Sequence, residues 1–169
     1  VLHYHGASDK IQEKNFKLAM RLYKNRITKI ISVSKAGITQ MNKMVNGLSA
    51  DVVYNGVNTE FFKPNLSQQY KKGEPELLFV SALRRYKKST ILVNALPSLL
   101  KKYPNAHLQI VGDGEDYKKL EEIITEKNLE DKVELTGQIK DDELKLRYSS
   151  CDLYISASTF EVCPVPTLE

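Results

Sequence analysis

Cysteine is scarce in this chain. Cys151 and Cys163 are the only two among 169 residues, too few for a disulfide framework and in keeping with a reduced, cytosolic setting. No apolar run approaches the roughly 18 residues of a membrane-spanning helix, and no signal peptide is expected. There is no initiator Met, and the chain stops on Glu169 inside a motif; an internal fragment of a longer protein is expected. Neither a short-period repeat nor a low-complexity tract occurs. The pattern G-x-G-x-x-G is missing, which disfavours dinucleotide binding. Histidine is limited to three residues. His3 and His5 share one side of a strand, but His107 lies far along the chain, so no metal site is expected. The net charge of +4 is mild; it permits an anionic ligand or an anionic membrane surface without demanding nucleic acid. The one basic cluster, Arg84-Arg85-Tyr86-Lys87-Lys88, has no basic helix face beside it, so nucleic acid is not expected as a partner.

Hydrophobic residues at 41% and charged residues at 27% make a soluble globular mixture, and the pattern within it is regular. Residues 1–6 read as a strand ending at Gly6. Residues 10–25 carry Phe16, Ala19, Met20 and Tyr23 at helical spacing, with Leu18 and Leu22 beside them. A strand over 27–33 comes next, then Ser34 as N-cap of a helix holding Ile38, Met41 and Val45. Residues 51–54 read as a strand closed by Asn55-Gly56. Residues 59–73 are polar and aperiodic, a linker.

A second series then begins. Strands are expected over 77–81, 107–111 and 133–136, and a buried one over 152–157. The helices between them span 89–102, 117–127 and 141–149. Strands alternating with helices of this length argue for parallel βαβ units. The fold class is therefore α/β, with two Rossmann-like parallel domains: 1–58, a linker at 59–75, and 76–169. The first lacks its beginning and the second its end.

The stretch after the last strand holds two glutamates, Glu161 and Glu169, separated by seven residues. A parallel strand delivers the loop after it to the carboxyl edge of the sheet, where open α/β folds bind ligands. Pro166 can open a helix but cannot sit inside one. A helix starting there would place Glu161 in the strand-to-helix loop and Glu169 in the first turn, converging on one crevice. Carboxylates so placed suit the vicinal hydroxyls of a sugar.

This spacing resembles the E-x7-E signature of retaining glycosyltransferases of the GT-B fold, family 4, the glycosyl transferases group 1. Other stretches resemble the same family in the same order. Ile31-Ser32-Val33-Ser34 is similar to its N-domain strand, and Asn55-Gly56-Val57-Asn58 with Phe61 or Phe62 and Pro64 to its interdomain signature. Val80-Ser81-Ala82-Leu83 with Lys87, then Ile110-Val111-Gly112-Asp113-Gly114, then Val133-x-Leu135-x-Gly137 resemble its first three C-domain strands. Three departures stand out: Asn58 where aspartate is usual, Ala82 where an arginine is usual, and Val162-Cys163-Pro164 in place of a glycine-rich run.

The resemblance implies retaining transfer of a sugar from a nucleotide-diphosphate sugar to a hydroxyl acceptor, without a metal or any cofactor beyond the donor. The acceptor would be a glycan, lipid or polysaccharide precursor. It implies catalytic roles for Glu161 and His5 beside the reacting sugar. Donor binding falls to Lys87 at the diphosphate, Glu161 at the sugar and Glu169 at the ribose. Arg84 is offered as a substitute for the basic residue missing at Ala82. Arg85 and Lys88 read as solvated side chains, and Cys163 is no nucleophile. The expected location is cytoplasmic, at the inner face of an anionic membrane if peripherally associated. Two alternatives remain: a non-catalytic sugar-nucleotide-binding relative, because the departures erode phosphate contacts, and a GT-B sugar-nucleotide epimerase.

Overall fold

The computed structural model describes residues 1–63 and 68–169. Pro64 and part of the expected linker lie outside the described residues. The chain divides into two compact units, Val1–Gly56 with Phe160–Leu168, and Val57–Thr159 with Glu169. Residues 160–168, expected with the second domain, thus pack with the first.

The first unit holds a three-stranded parallel sheet in the order β1 (Leu2–Tyr4), β2 (Ile30–Ser32), β3 (Asp51–Val52). Helix α1 (Lys10–Tyr23) connects the first two strands and α2 (Lys35–Met44) the next two. Both helices start at side-chain caps. Asp9 accepts from the amides of Ile11 and Gln12 at 2.9 and 2.8 Å, and Ser34 Oγ from that of Gly37 at 3.1 Å. Phe16 and Met20, one turn apart, turn into a core with Tyr4, Ile30, Met41 and Leu48. Ala19 and Tyr23, expected on that face, lie exposed.

The second unit is a four-stranded parallel sheet in the order β6-β5-β4-β7. Its strands are β4 (Glu76–Val80), β5 (His107–Val111), β6 (Val133–Gly137) and β7 (Leu153–Tyr154). The helices are α3 (Ser89–Leu100), α4 (Tyr117–Glu126) and α5 (Asp141–Ser150). Every residue of β4 and β5 is buried, as befits central strands covered on both faces. Leu77, Phe79, Leu108 and Ile110 meet Val93 and Leu96 of α3 and Leu120 and Ile124 of α4. Leu78, Val80 and Val111 face Leu144 and Tyr148 of α5. The last strand differs from expectation. It has two residues rather than six, pairs with β4, and leaves Leu153 55% exposed.

The interdomain turn explains one departure. Asn58 Oδ1 accepts from the amides of Glu60 and Phe61, both at 3.1 Å. An asparagine carbonyl oxygen serves in such a turn as a carboxylate does.

Candidate functional site

The β4–α3 loop carries Arg84 and Lys87. Leu83 fixes its start: its amide donates to Asp113 O at 2.9 Å, and its own carbonyl accepts from the Asp116 amide at 3.0 Å. The β5–α4 turn that supplies these partners needs Gly112, at φ 128°, because a Cβ there would strike the Ser81 carbonyl oxygen. Arg85–Lys87 then form one 3-10 turn, and Lys88 enters α3 in the left-handed region at φ 55°. The amide and hydroxyl of Thr159 both donate to Tyr86 O, at 2.9 and 3.1 Å. The segment after β7 is therefore pinned to the turn that carries Lys87. The ammonium of Lys87 lies 5.4 Å from the centre of the Tyr86 ring, a cation–π distance. Arg84 is exposed and lines a cleft with Ala82, Asp113, Gly114 and Glu115. The departure at Ala82 and its proposed substitute thus border the same space. Glu115 engages Arg85, accepting from its amide at 2.9 Å.

His5 and Glu161 both belong to the first unit, and both are exposed. Gly6, next to His5, has φ 102°, and a Cβ there would sit 2.5 Å from Val162 Cγ2 and 3.0 Å from Phe160 Cζ. The chain on either side of Glu161 therefore rests directly on the turn that carries His5. Val162 also covers Gly37 at the start of α2, where a Cβ would stand 3.1 Å from its Cγ1. Asn55 Nδ2 donates to Cys163 O at 3.0 Å. The apolar run that replaces the usual glycines is thus a packing element. Pro166 lies in the first turn of a 3-10 segment, Val165–Thr167, and Glu169 comes just after it.

Glu169 belongs to the second unit. Its Oε2 accepts from the Tyr148 hydroxyl at 3.0 Å. Burial, with the Glu169 charge beside it, pushes the Tyr148 hydroxyl well above the ordinary tyrosine value, so Tyr148 stays a donor. Phe62 meets the Tyr148 ring edge-on at 5.9 Å. These residues, with Lys63, Lys145 and Ser149, line a cleft of about 200 Å³.

One polar cluster was not foreseen. At the amino end of β4 and β5, Glu76 is fully buried and takes four bonds. His107 Nδ1 lies 2.6 Å from its Oε1 and Gln109 Nε2 donates to the same oxygen at 2.8 Å. The amides of Lys72 and Gly73 each donate to Oε2 at 2.7 Å. Arg147 of α5, 4% exposed, donates to Gln109, Glu134 and Glu143 at 2.7 to 3.1 Å. Burial raises the Glu76 carboxyl, but the bonds from His107, Gln109 and Lys72 outweigh it and hold the group below the ordinary value. The cluster anchors residues 70–73 and α5 to the sheet. The signal was available: Glu76, His107 and Gln109 alternate onto one face of otherwise apolar strands. Among the described residues, no group of three or more His, Cys, Asp or Glu is placed to hold a metal ion.

The sequence model of the family described as glycosyl transferases group 1 matches residues 50–169. The chain belongs to this family. An uncharacterized glycosyltransferase of Methanocaldococcus jannaschii is 30% identical over 152 residues, covering 83% of this chain and 39% of that protein. A GDP-mannose-dependent alpha-(1-6)-phosphatidylinositol monomannoside mannosyltransferase of Mycobacterium tuberculosis is 32% identical over 106 residues, 59% of this chain and 28% of its own. The crystal structure of Anabaena HepE in complex with UDP-glucose superposes with a TM-score of 0.78 at 26% identity, over 95% of this chain and 47% of that one. The fold of this group 1 chain is accordingly of the GT-B type. It spans less than half the length of each of these relatives.

Proposed function

We propose that this chain is part of a retaining, metal-independent glycosyltransferase that moves a hexose from a nucleoside diphosphate sugar to a hydroxyl acceptor. The observation that carries the reading is the atomic contact of the His5-Gly6 turn with Phe160 and Val162, which sets the two expected catalytic residues on neighbouring loops of one unit. Glu161 and His5 would accept and donate hydrogen bonds at the sugar hydroxyls. Glu169, oriented by Tyr148, would hold the ribose diol through charge-assisted bonds. The leaving diphosphate gathers charge as its bond to the sugar breaks, and fixed cations aimed at it stabilise that state. Lys87, with Arg84 at the cleft beside Ala82, would supply them.

Relatives described as GDP-mannose-dependent or crystallised with UDP-glucose support a nucleotide sugar as donor. A relative acting on a phosphatidylinositol mannoside supports a glycan or lipid-linked acceptor, reached by a cytoplasmic enzyme at the membrane's inner face. The test offers UDP- and GDP-hexoses to the natural full-length protein and monitors the anomeric proton by NMR. Slow donor hydrolysis or transfer with the donor's anomeric configuration kept is expected. Inverted product, an epimerised donor, or binding without turnover would each overturn the reading, the last in favour of a non-catalytic relative.

A further inference from the structure

The chain leaves the first unit at Gly56 and enters the second at Val57, and its first turn there is closed by Asn58 from two atoms. Asn58 Oδ1 accepts from the amides of Glu60 and Phe61. Its backbone carbonyl accepts from those of Phe61 and Phe62 at 3.1 and 2.8 Å. The turn sets the rings of Phe61 and Phe62 edge to face, 5.0 Å between centres, and brings both to α5. Lys145 Nζ lies 5.0 Å from the centre of the Phe61 ring, a cation–π distance. Phe62 meets the Tyr148 ring at 5.9 Å and 86°. Further along the linker, Tyr70 returns to the same helix. Arg147 stands 4.3 Å over its ring, and its amide donates to Ser150 Oγ at 3.2 Å. Helix α5 is thus held by the linker through residues 61–62 and again at residue 70.

We propose that Phe62 is a positioning residue for the sugar-nucleotide site: it steadies the Tyr148 ring, whose hydroxyl orients Glu169, so that the linker turn sets nucleoside diphosphate affinity. The inference rests on the ribose-binding role proposed for Glu169. Phe62, Tyr148 and Glu169 line one cleft, and the chain of contacts is short, ring to ring and then hydroxyl to Oε2 at 3.0 Å. Edge-to-face packing fixes the relative direction of two rings. Tyr154 meets the Tyr148 ring as well, at 6.3 Å, so the ring is flanked by two aromatic neighbours and its hydroxyl has little room to swing. A purely structural role accounts less well for Phe62. Helix α5 has an apolar footing of its own, with Leu144 and Tyr148 on Leu78, Val80 and Val111, and both linker rings stay half-buried. Coupling of this kind is reciprocal, so a bound nucleotide holds the linker turn in return.

The experiment measures UDP and GDP affinity by calorimetry, and the thermal midpoint without ligand, on the natural full-length protein and its variants. Phe62→Leu should weaken binding about three- to fivefold, because the ring that steadies Tyr148 is lost. Phe62→Tyr keeps the ring and should bind as the parent does. The deciding comparison repeats Phe62→Leu together with Tyr148→Phe. Once residue 148 lacks its hydroxyl, Phe62→Leu should cost no further affinity, while it lowers the midpoint as much as before. A structural role would instead weaken binding alike with and without that hydroxyl, and such a result would overturn the proposal. So would unchanged affinity for Phe62→Leu at a lowered midpoint. If Phe62→Leu does not fold, Asn58→Ala, which loosens the turn and keeps the ring, is judged by the same comparison. Glu169→Gln separates the two levels of the argument. If it leaves affinity unchanged, the ribose assignment falls and this inference with it; if it weakens binding while Phe62→Leu does not, only the role of Phe62 falls.

Discussion

The Tyr148 hydroxyl donates to Glu169 Oε2 at 3.0 Å, tying the second glutamate of the pair to α5. On the proposed reading, this bond orients the carboxylate that would hold the ribose diol. Tyr148→Phe keeps the ring packing against Phe62 and removes only the donor, a loss of roughly 0.5–1.5 kcal/mol. Nucleoside diphosphate affinity should fall about three- to tenfold in consequence. Glu169→Gln should cost about tenfold or more, since it removes the charge from the bonds to the diol. In a double-mutant cycle by calorimetry, Tyr148→Phe should add little once Glu169 is Gln. Full additivity would separate Tyr148 from the ligand.

Much of this arrangement was legible in the residues. Hydrophobic periodicity and capping chemistry placed the helices, because Ser34 is a good cap and the central strands are largely apolar. The end of the chain was harder to read. Val162-Cys163-Pro164 looked like a ligand loop that had lost its glycines, yet Val162 fills the space over Gly6 and Gly37, a tertiary contact that no local pattern encodes. The Glu76–Arg147 cluster left only a partial trace, the polar Glu76, His107 and Gln109 in otherwise apolar strands; its partner Arg147 lies far along the chain on α5.

That cluster sets the response to acid. The folded Glu76 and Glu134 carboxyls both lie below the ordinary glutamate value of 4.5. A depressed carboxyl contributes stability above the unfolded value and loses it as pH falls through the folded one. Glu76→Gln should cost about 2–3 kcal/mol near neutral pH, since the amide group presents a donor to donors. The variant and the parent should converge in urea unfolding as pH drops below the ordinary glutamate range. A gap that persists in acid would show that shape, not charge, carries the effect.

Lys88 enters α3 at φ 55° and ψ 32°, a left-handed conformation that costs a side chain roughly 1–2 kcal/mol. Lys88→Gly removes that strain and adds some entropy to the unfolded chain. Urea unfolding should therefore show a net gain of about 0.5–1 kcal/mol. If stability falls instead, the lysine side chain makes a contact worth more than the strain.

Gly6 should tolerate nothing larger. At φ 102°, Gly6→Ala incurs roughly 1–3 kcal/mol in backbone strain, and its Cβ also meets Val162. Adding Val162→Ala should recover the steric part and leave the backbone part. In the full-length protein the single variant should lose transfer activity more than nucleoside diphosphate affinity, because it moves the loops of His5 and Glu161 while leaving the Lys87 turn alone. Equal loss of both would mean that the whole fold has suffered.

The diphosphate contact makes the last prediction. Pro164 offers no amide hydrogen, and Val162 is spent on packing against Gly6 and Gly37, so this loop supplies fewer backbone donors than a glycine-rich one. On the proposed reading, phosphate binding would then rest on side-chain charge. Lys87 sits in the turn held by Thr159, and Arg84 is exposed at the neighbouring cleft. Charges near the surface are screened over about 10 Å at 0.1 M salt, whereas short buried amide contacts are screened less. Nucleoside diphosphate affinity should therefore weaken clearly between low and moderate salt, and Lys87→Ala should remove most of that dependence. Arg84→Ala should remove a smaller share, because it also faces the acids Asp113 and Glu115. Pro164→Gly should preserve or improve binding, since it restores an amide without touching Val162. A salt titration by calorimetry compares the four proteins. Binding that neither salt nor Lys87→Ala alters would place the phosphate away from this loop.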